Sequence, residues 1–163
     1  MAIVGYMGSG KTTVGRLLAR RTGRHFVDLD AEVTRAAGRP IPEVFAEWGE
    51  DAFRDLESDA LISALRRRDP AVISCGGGAV LRPQNRAALR ETPTVFLDED
   101  VDALYRRTRD PSRPLRGTSR EDFARRHAGR LPLYREVADL TVRADGRSAA
   151  AVAEEVERWL RTR

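Results

Sequence analysis

The stretch that most constrains the fold is the glycine-rich segment GYMGSGKTT at residues 5–13. It has the form G-x-x-x-x-G-K-[ST], in which glycines let successive backbone N–H groups point into one concavity that holds phosphate oxygens. Lys11 can reach the outer phosphates and the Thr12 hydroxyl can ligate Mg²⁺. Apolar residues 2–4 predict a preceding strand, and the apolar spacing after the loop predicts a helix that Gly23 ends. The segment therefore predicts a phosphate-binding loop between a strand and a helix.

Composition singles out the lysine of this loop. The chain has 29 basic residues, and Lys11 is its only lysine. A compact ammonium differs from a planar guanidinium, and it fits among phosphate oxygens in a tight backbone loop. The alternative is a glycine-rich surface turn with an incidental lysine.

Length and charge limit the class of protein. The chain has 163 residues, 41% hydrophobic residues and a formal net charge of +4, which fits one globular domain. The charges are interspersed, which favours a solvated arginine-rich surface or a local pocket for small anions over a nucleic-acid interface. Cys75 is the only cysteine, so no intramolecular disulfide can form. No apolar run reaches about 18 residues and no leader pattern is seen, so we expect a soluble, cytoplasmic protein.

Strand and helix patterns alternate along the chain. The expected strands lie near 2–5, 25–29, 71–75, 94–97 and 140–144. This order predicts an α/β fold with a five-stranded parallel sheet, flanked by helices in right-handed crossovers. Gly49 is expected to separate two helices, and the segment 131–134 around Pro132 is expected to interrupt the helix over 121–137.

Two acidic residues follow the second predicted strand. Asp28 and Asp30 are spaced by two, which places both carboxylates on the same side of an extended chain. Ligands of an open α/β sheet lie beyond the carboxyl ends of its strands, so the pair could serve Mg²⁺ and an acceptor hydroxyl. Alternatively, Asp30 caps a helix over 31–37, which explains one carboxylate but not both.

The third predicted strand ends in Ser74-Cys75 and is followed by three glycines at 76–78. A nucleotide-binding protein of this kind usually ends that strand in Asp, so the metal must depend on Thr12 and another acid, which Asp28 could supply. Bare backbone at 76–78 lets a ligand approach closely. A flexible loop is the equally open alternative.

Two arginine features remain open on sequence grounds. Arg54 and Glu57 are three residues apart on a predicted helix and can pair, which by itself is an ordinary surface interaction. Residues 109–119 are polar, rich in arginine and interrupted by prolines. In a phosphoryl-transfer enzyme such a segment is a lid that carries an arginine to the transferring phosphate. The alternative is a plain loop between helices.

Together these pieces resemble the shikimate kinase family over nearly the whole chain. The resemblance is carried by GYMGSGKTTVGR at 5–16, DLD at 28–30, FRDLE at 53–57, CGGGAV at 75–80, RPL at 113–115 and RLPLYREVA at 130–138. It implies one P-loop kinase domain of the nucleoside monophosphate kinase type over 1–163, with a substrate-binding region at about 28–58 and a lid at about 109–120. The implied reaction transfers the γ-phosphoryl group of MgATP to the 3-hydroxyl of shikimate, in aromatic amino acid biosynthesis.

The resemblance also implies residue roles. The implied catalytic residues are Lys11, Asp30 and Arg113. ATP would be bound by Gly8, Ser9, Gly10, Lys11, Thr12, Thr13, Arg107 and Arg113. Shikimate would be bound by Asp30, Arg54, Gly76, Gly77, Gly78 and Arg130, with Glu57 orienting Arg54 and with Phe45 and Phe53 as an apolar wall. Mg²⁺, the implied cofactor, would be held by Thr12 directly and by Asp28 through water. The implied partners are ATP and shikimate, with no nucleic acid and no membrane, and the chain is expected to be a monomer.

Other functions compete with this reading. A related small-molecule kinase such as gluconate kinase also takes an anionic, hydroxylated acceptor, and the Arg54/Arg130 pair with the glycine triplet is the discriminating feature. A nucleotide-binding module without catalysis is a second class, which the set Lys11, Asp30 and Arg113 argues against. A nucleic-acid binder using the basic surface is a third.

Overall fold

A five-stranded parallel sheet forms the centre of the protein. The structure is a computed structural model, and it describes residues 1–108 and 119–163. In chain order the strands are β1 (Ala2–Val4), β2 (His25–Asp28), β3 (Ala71–Ser74), β4 (Thr94–Asp98) and β5 (Leu140–Arg143). Across the sheet the order is β2-β3-β1-β4-β5, so β1, which leads into the phosphate-binding loop, is central. The predicted fold class and all five strand positions are confirmed.

Helices cover both faces of this sheet. They are α1 (Lys11–Thr22), α2 (Leu29–Ala37), α3 (Ile41–Leu65), α4 (Pro83–Arg90), α5 (Val101–Arg107), α6 (Arg120–Val137) and α7 (Ala149–Arg161), with a short 3₁₀ turn at Ala79–Leu81. Alternate residues of β1 enter different cores. Ala2 and Val4 pack with side chains of α3, α4 and α6, whereas Ile3 packs with those of α1 and α7. Burial on both faces is why β1, β3 and β4 read as largely apolar runs, whereas the edge strands β2 and β5 are partly exposed and carry polar residues.

Two details of the helices differ from expectation. Asp30 does not cap α2, because Asp28 is the N-cap and its Oδ1 accepts from the Asp30 backbone N–H at 3.1 Å. Pro132 does not interrupt α6, which runs unbroken past it. A proline inside a helix costs about 3 kcal/mol, but buried Phe123 and Tyr134 anchor α6 to the core on either side. Packing therefore outweighs the lost hydrogen bond.

The predicted break at Gly49 is confirmed. Gly49 has φ of 82° and ψ of 175° inside α3, a left-handed conformation that favours glycine. The helix therefore changes direction there. Among the described residues, no helix has both the length and the apolar character needed to cross a bilayer.

Candidate active site

The phosphate-binding loop lines a cavity of about 510 Å³ at the carboxyl edge of the sheet. Gly10 precedes α1 with φ of 82° and no side chain caps this end of the helix. The uncapped N–H groups and the helix dipole favour an anion here. Lys11 Nζ donates to the Tyr6 carbonyl at 2.9 Å and lies 3.5 Å from Ser9 Oγ. This arrangement keeps the ammonium at the phosphate-binding end of the cavity.

Gly5 shows how tightly the loop is packed. A Cβ atom at Gly5 would lie 2.8 Å from the Leu97 carbonyl oxygen and 2.9 Å from Ser9 Oγ. Its φ of 153° also lies in a region that side chains disfavour. Only glycine therefore lets the chain leave β1 beside β4 and turn into the loop.

Three oxygen-bearing side chains meet beside this loop. Thr12 Oγ1 donates to Asp28 Oδ2 at 3.1 Å and lies 3.5 Å from Ser74 Oγ. Thus one oxygen of Asp28 caps α2 while the other faces Thr12. Oxygen donors suit Mg²⁺, which keeps several waters and needs few protein ligands. No cluster of three or more His, Cys, Asp or Glu side chains that could hold a metal ion occurs in the part of the chain that the structure describes.

A second cavity, of about 380 Å³, adjoins the first. Four residues line both cavities, namely Met7, Asp30, Gly76 and Gly77. Asp30 lies in the first turn of α2 and not in an extended strand. The prediction that strand alternation places the carboxylates of Asp28 and Asp30 on the same side is therefore wrong. The helix nevertheless turns Asp30 towards the junction, and Asp28 still lines the first cavity. A carboxylate therefore lies where two bound molecules would meet.

A buried ion pair forms one wall of the second cavity. Arg54 Nη1 donates to Glu57 Oε2 at 2.7 Å, and the two side chains are only 4% and 2% exposed. The expectation of an ordinary surface pair is therefore wrong. Burial raises the pKa of Glu57 more than Arg54 lowers it, and the nearby Asp30 carboxylate adds to the rise. Glu50, which is half exposed, also accepts from Arg54 Nη2, at 2.9 Å.

The glycine triplet provides the space for this ion pair. A Cβ atom at Gly76 would lie 2.3 Å from Glu57 Oε1, and one at Gly78 would lie 2.0 Å from Arg54 Nη1. Side chains at these positions would displace the charged ends of Glu57 and Arg54 and so disturb the ion pair. The triplet is thus closely packed backbone. This favours the interpretation that a ligand can approach bare backbone at 76–78 over the alternative of a flexible loop.

Arg130 also lines the second cavity. Its Nη1 donates to the Gly77 carbonyl at 3.3 Å, and its guanidinium lies 5.3 Å from the centre of the Tyr6 ring. The Tyr134 hydroxyl also donates to the Gly77 carbonyl, and burial raises the pKa of Tyr134, which keeps that hydroxyl a donor. Sequence reasoning missed Tyr6 and Tyr134. The four-residue spacing of Arg130 and Tyr134 on one helix was the available signal.

Arg107 also lines the first cavity. Its Nη1 donates to Glu99 Oε2 at 2.6 Å and lies 3.5 Å from the Gly8 carbonyl oxygen. Ala144 and Ala149 line the same cavity. Sequence reasoning missed Glu99, and the run of acids after β4 gave no sign of which one would be buried.

Every predicted catalytic, ATP-binding, shikimate-binding and metal-binding residue within the described ranges lines one of the two cavities, whereas Phe45, predicted as part of the apolar wall, lines neither. Arg113, and with it most of the predicted lid, lies outside the described residues. Phe53 lines the second cavity, and Phe45 packs against it with ring centres 4.6 Å apart. The structure therefore brings the predicted residues together, while their roles remain predictions.

The fold and the loop define the class of protein: a P-loop protein of the nucleoside monophosphate kinase type. The family model described as shikimate kinase matches residues 7–161. The chain therefore belongs to the shikimate kinase family.

Individual relatives agree with this assignment. The chain is 45% identical to a shikimate kinase from Chromohalobacter salexigens, over 96% of this chain and 88% of the relative. A shikimate kinase from Acinetobacter baumannii, solved in complex with shikimate, superposes with a TM-score of 0.94 and 36% identity, over 99% of this chain and 92% of that one. A gluconokinase from Sinorhizobium meliloti shares the fold, with a TM-score of 0.60 and 20% identity, over 99% of this chain and 90% of that one.

Proposed function

We propose that this protein transfers the γ-phosphoryl group of ATP to the 3-hydroxyl of shikimate, giving ADP and shikimate 3-phosphate for aromatic amino acid biosynthesis. The observation that carries the proposal is the pair of adjoining cavities, one lined by the P-loop and one by Arg54 and Arg130, with Asp30 at their junction. The shikimate-bound relative supports the choice of acceptor.

The P-loop cavity would take ATP. The backbone of residues 8–13 would hold the phosphates, and the ammonium of Lys11 would move from the Tyr6 carbonyl to the β- and γ-phosphate oxygens. Arg107 would pack on the adenine base of ATP. Arg113, predicted from sequence, would come from the proposed lid at 109–120 to the transferring charge, and an arginine in that role raises rates by about 10³-fold or more.

The residues beside the loop fit Mg²⁺. Thr12 would ligate the ion directly and Asp28 would bind through water, and the hydrogen bond between them already places both oxygens together. When bound, the ion neutralises phosphate charge during transfer. Ser74 Oγ, which lies 3.5 Å from Thr12 Oγ1, is close enough to hydrogen-bond to the same water shell.

The second cavity would take shikimate. The substrate carboxylate needs cations with several donors, and guanidinium groups provide two parallel hydrogen bonds. Arg54 and Arg130 both offer such groups at the second cavity, and Glu57 pairs with Arg54 and would fix its orientation. Asp30 would accept a hydrogen bond from the 3-hydroxyl and orient it towards the phosphate.

The proposal extends to the organisation of the protein. We propose a single kinase domain, with the acceptor region at about 28–58, that works as a monomer in the cytoplasm. Its partners would be ATP and shikimate, without nucleic acid or membrane.

A coupled assay of ADP release tests the proposal. We expect Mg²⁺-dependent turnover with shikimate and none with gluconate at the same concentration. Product analysis by ³¹P NMR should show a phosphate ester at the 3-position. Turnover on gluconate but not on shikimate would reject the proposal, and so would release of ADP that does not depend on the acceptor.

A further inference from the structure

A fully buried tyrosine contacts the backbone of the second cavity without lining the cavity itself. Tyr134 lies on α6 with no exposed surface, and its ring stacks on that of Phe96 from β4 with the ring centres 5.1 Å apart. Phenylalanine would fill the same space without a hydroxyl, which is costly to bury unless it is hydrogen-bonded. Packing therefore explains the ring of Tyr134 but not its hydroxyl.

The hydroxyl of Tyr134 and the guanidinium of Arg130 share one acceptor. The hydroxyl donates to the Gly77 carbonyl, and Arg130 Nη1 donates to the same oxygen at 3.3 Å. A carbonyl oxygen has two lone pairs, so it can accept both hydrogen bonds at once. The two donors are four residues apart on one helix and so lie on the same face of it. Gly77 is therefore joined to α6 by two hydrogen bonds.

These two hydrogen bonds differ in how they respond to a ligand. Arg130 lines the cavity and would turn donors towards a substrate carboxylate. Tyr134 does not line the cavity, so its hydrogen bond to Gly77 can persist when Arg130 binds the ligand. Glycine backbone has more conformational freedom than that of any other residue, and Gly77 lies between two further glycines. The tyrosine hydrogen bond can thus keep the Gly77 carbonyl, and the guanidinium beside it, in place.

We propose that Tyr134 is a positioning residue for the second cavity: its hydroxyl fixes the Gly77 carbonyl and, through that oxygen, the direction in which the Arg130 guanidinium meets the acceptor carboxylate. The inference rests on the proposed function in that Arg130 binds the carboxylate of shikimate. It assigns to the Tyr134 hydroxyl part of the affinity for shikimate, none of the affinity for ATP and no contact with either substrate.

Tyr134→Phe removes the hydroxyl and keeps the stacked ring. By isothermal titration we expect shikimate to bind about 3- to 10-fold more weakly, in line with the loss of one neutral hydrogen bond, and ATP with Mg²⁺ to bind unchanged. KM for shikimate should rise by the same factor while kcat stays constant, since the lost binding is equal in the ground and transition states. Tyr105→Phe is the matched control, because it removes a tyrosine hydroxyl at a half-buried position of α5 outside both cavities. It should change none of these quantities.

A double-mutant cycle tests whether Tyr134 acts through Arg130. In an Arg130→Lys background, Tyr134→Phe should raise KM for shikimate by no more than about 2-fold, because the guanidinium that it positions is already absent. If Tyr134→Phe does not fold, judged by circular dichroism, a crystal structure of the wild type with shikimate decides. The Tyr134 hydroxyl should then stay within hydrogen-bond distance of the Gly77 oxygen while Arg130 contacts the carboxylate. A Gly77 carbonyl turned away from Tyr134 would reject the inference.

Three results with the folded variants would overturn the inference. They are an equal loss of affinity for shikimate and ATP, which a merely structural role predicts, an unchanged affinity for shikimate, and full additivity in the cycle. If the wild type binds and phosphorylates shikimate while one of these results holds, the inference alone is rejected. A wild type that neither binds nor phosphorylates shikimate rejects the proposed function, so the two failures are distinguishable.

Discussion

The two halves of the site are built in different ways. The donor half is largely the backbone of one continuous segment, residues 5–13, placed at the end of the central strand. The acceptor half consists of charged side chains from α2, α3 and α6 that meet a glycine backbone after β3. Phosphate recognition is therefore local in sequence, whereas acceptor recognition depends on distant segments that the fold brings together.

The halves also differ in their energetics. The first N–H groups of any helix have no partner within the helix itself, so using those of α1 for phosphate adds little cost to folding. The acceptor half buries the ion pair of Arg54 and Glu57, and removing charges from water costs several kcal/mol per ion before pairing repays it. We infer that the acceptor half is the part of the site more sensitive to substitution.

The largest expected effect lies at the junction. Asp30→Ala should lower turnover by about 10²- to 10⁴-fold, the range for loss of a group that handles a proton. ATP affinity, measured by titration, should persist, because Asp30 faces the acceptor. The exposed Asp59 on α3 provides a control, and Asp59→Ala should leave both quantities unchanged. A parallel loss of ATP affinity and turnover would place Asp30 in the donor half instead.

Substitutions of the two acidic partners of Arg54 should lower the free energy of unfolding by very different amounts. Glu57→Ala leaves Arg54 with its inner partner removed, and we expect the free energy of unfolding to fall by about 3 kcal/mol. Glu50→Ala, at the exposed partner, should cost less than about 1 kcal/mol. Urea denaturation measures both. Equal losses would show that burial of the inner pair is not what distinguishes the acceptor half.

Arg130→Lys tests the need for a fork-shaped cation. One ammonium replaces a guanidinium, and loss of a charged hydrogen bond of about 1.5 to 3 kcal/mol corresponds to a rise in KM for shikimate of roughly 10- to 100-fold. KM for ATP should stay constant. Arg135→Lys, exposed on the same helix, is the control. An unchanged KM for shikimate would remove Arg130 from the acceptor half.

The smallest expected effect concerns pH. Since the folded-state pKa of Glu57 is raised above its ordinary value of 4.5, protonation favours the folded state. The contribution of Glu57 to stability is then fully present below about pH 4.5 and is lost as pH rises through the raised value. In urea denaturation from about pH 4 to about pH 8, the stability of the wild type relative to Glu57→Gln should decline. A relative stability that rises with pH would mean that Arg54 lowers the pKa instead.

The donor half and the sheet were largely predictable from sequence. Apolar runs such as residues 71–74 identify strands buried on both faces, and the loop motif carries its own geometry. The edge at which Asp28 and Gly76 would meet followed from the parallel arrangement. These inferences succeed because each depends on neighbouring residues.

The acceptor half was less predictable for the converse reason. Arg54 and Glu57 are spaced like any surface pair, and their burial arises from contacts with Gly76 and Gly78, which lie far along the chain. Pro132 was misread because tertiary packing of α6 outweighs a local signal. Only the family resemblance distinguished Arg54 and Arg130 among the many arginines.

A crystal structure with bound shikimate would test the division into two halves most directly. The expected complex has the carboxylate between the guanidinium groups of Arg54 and Arg130, the ring against Gly76–Gly78 and a hydroxyl at Asp30, with the P-loop cavity free for ATP. Shikimate bound in the P-loop cavity, or with its carboxylate away from both arginines, would contradict this assignment.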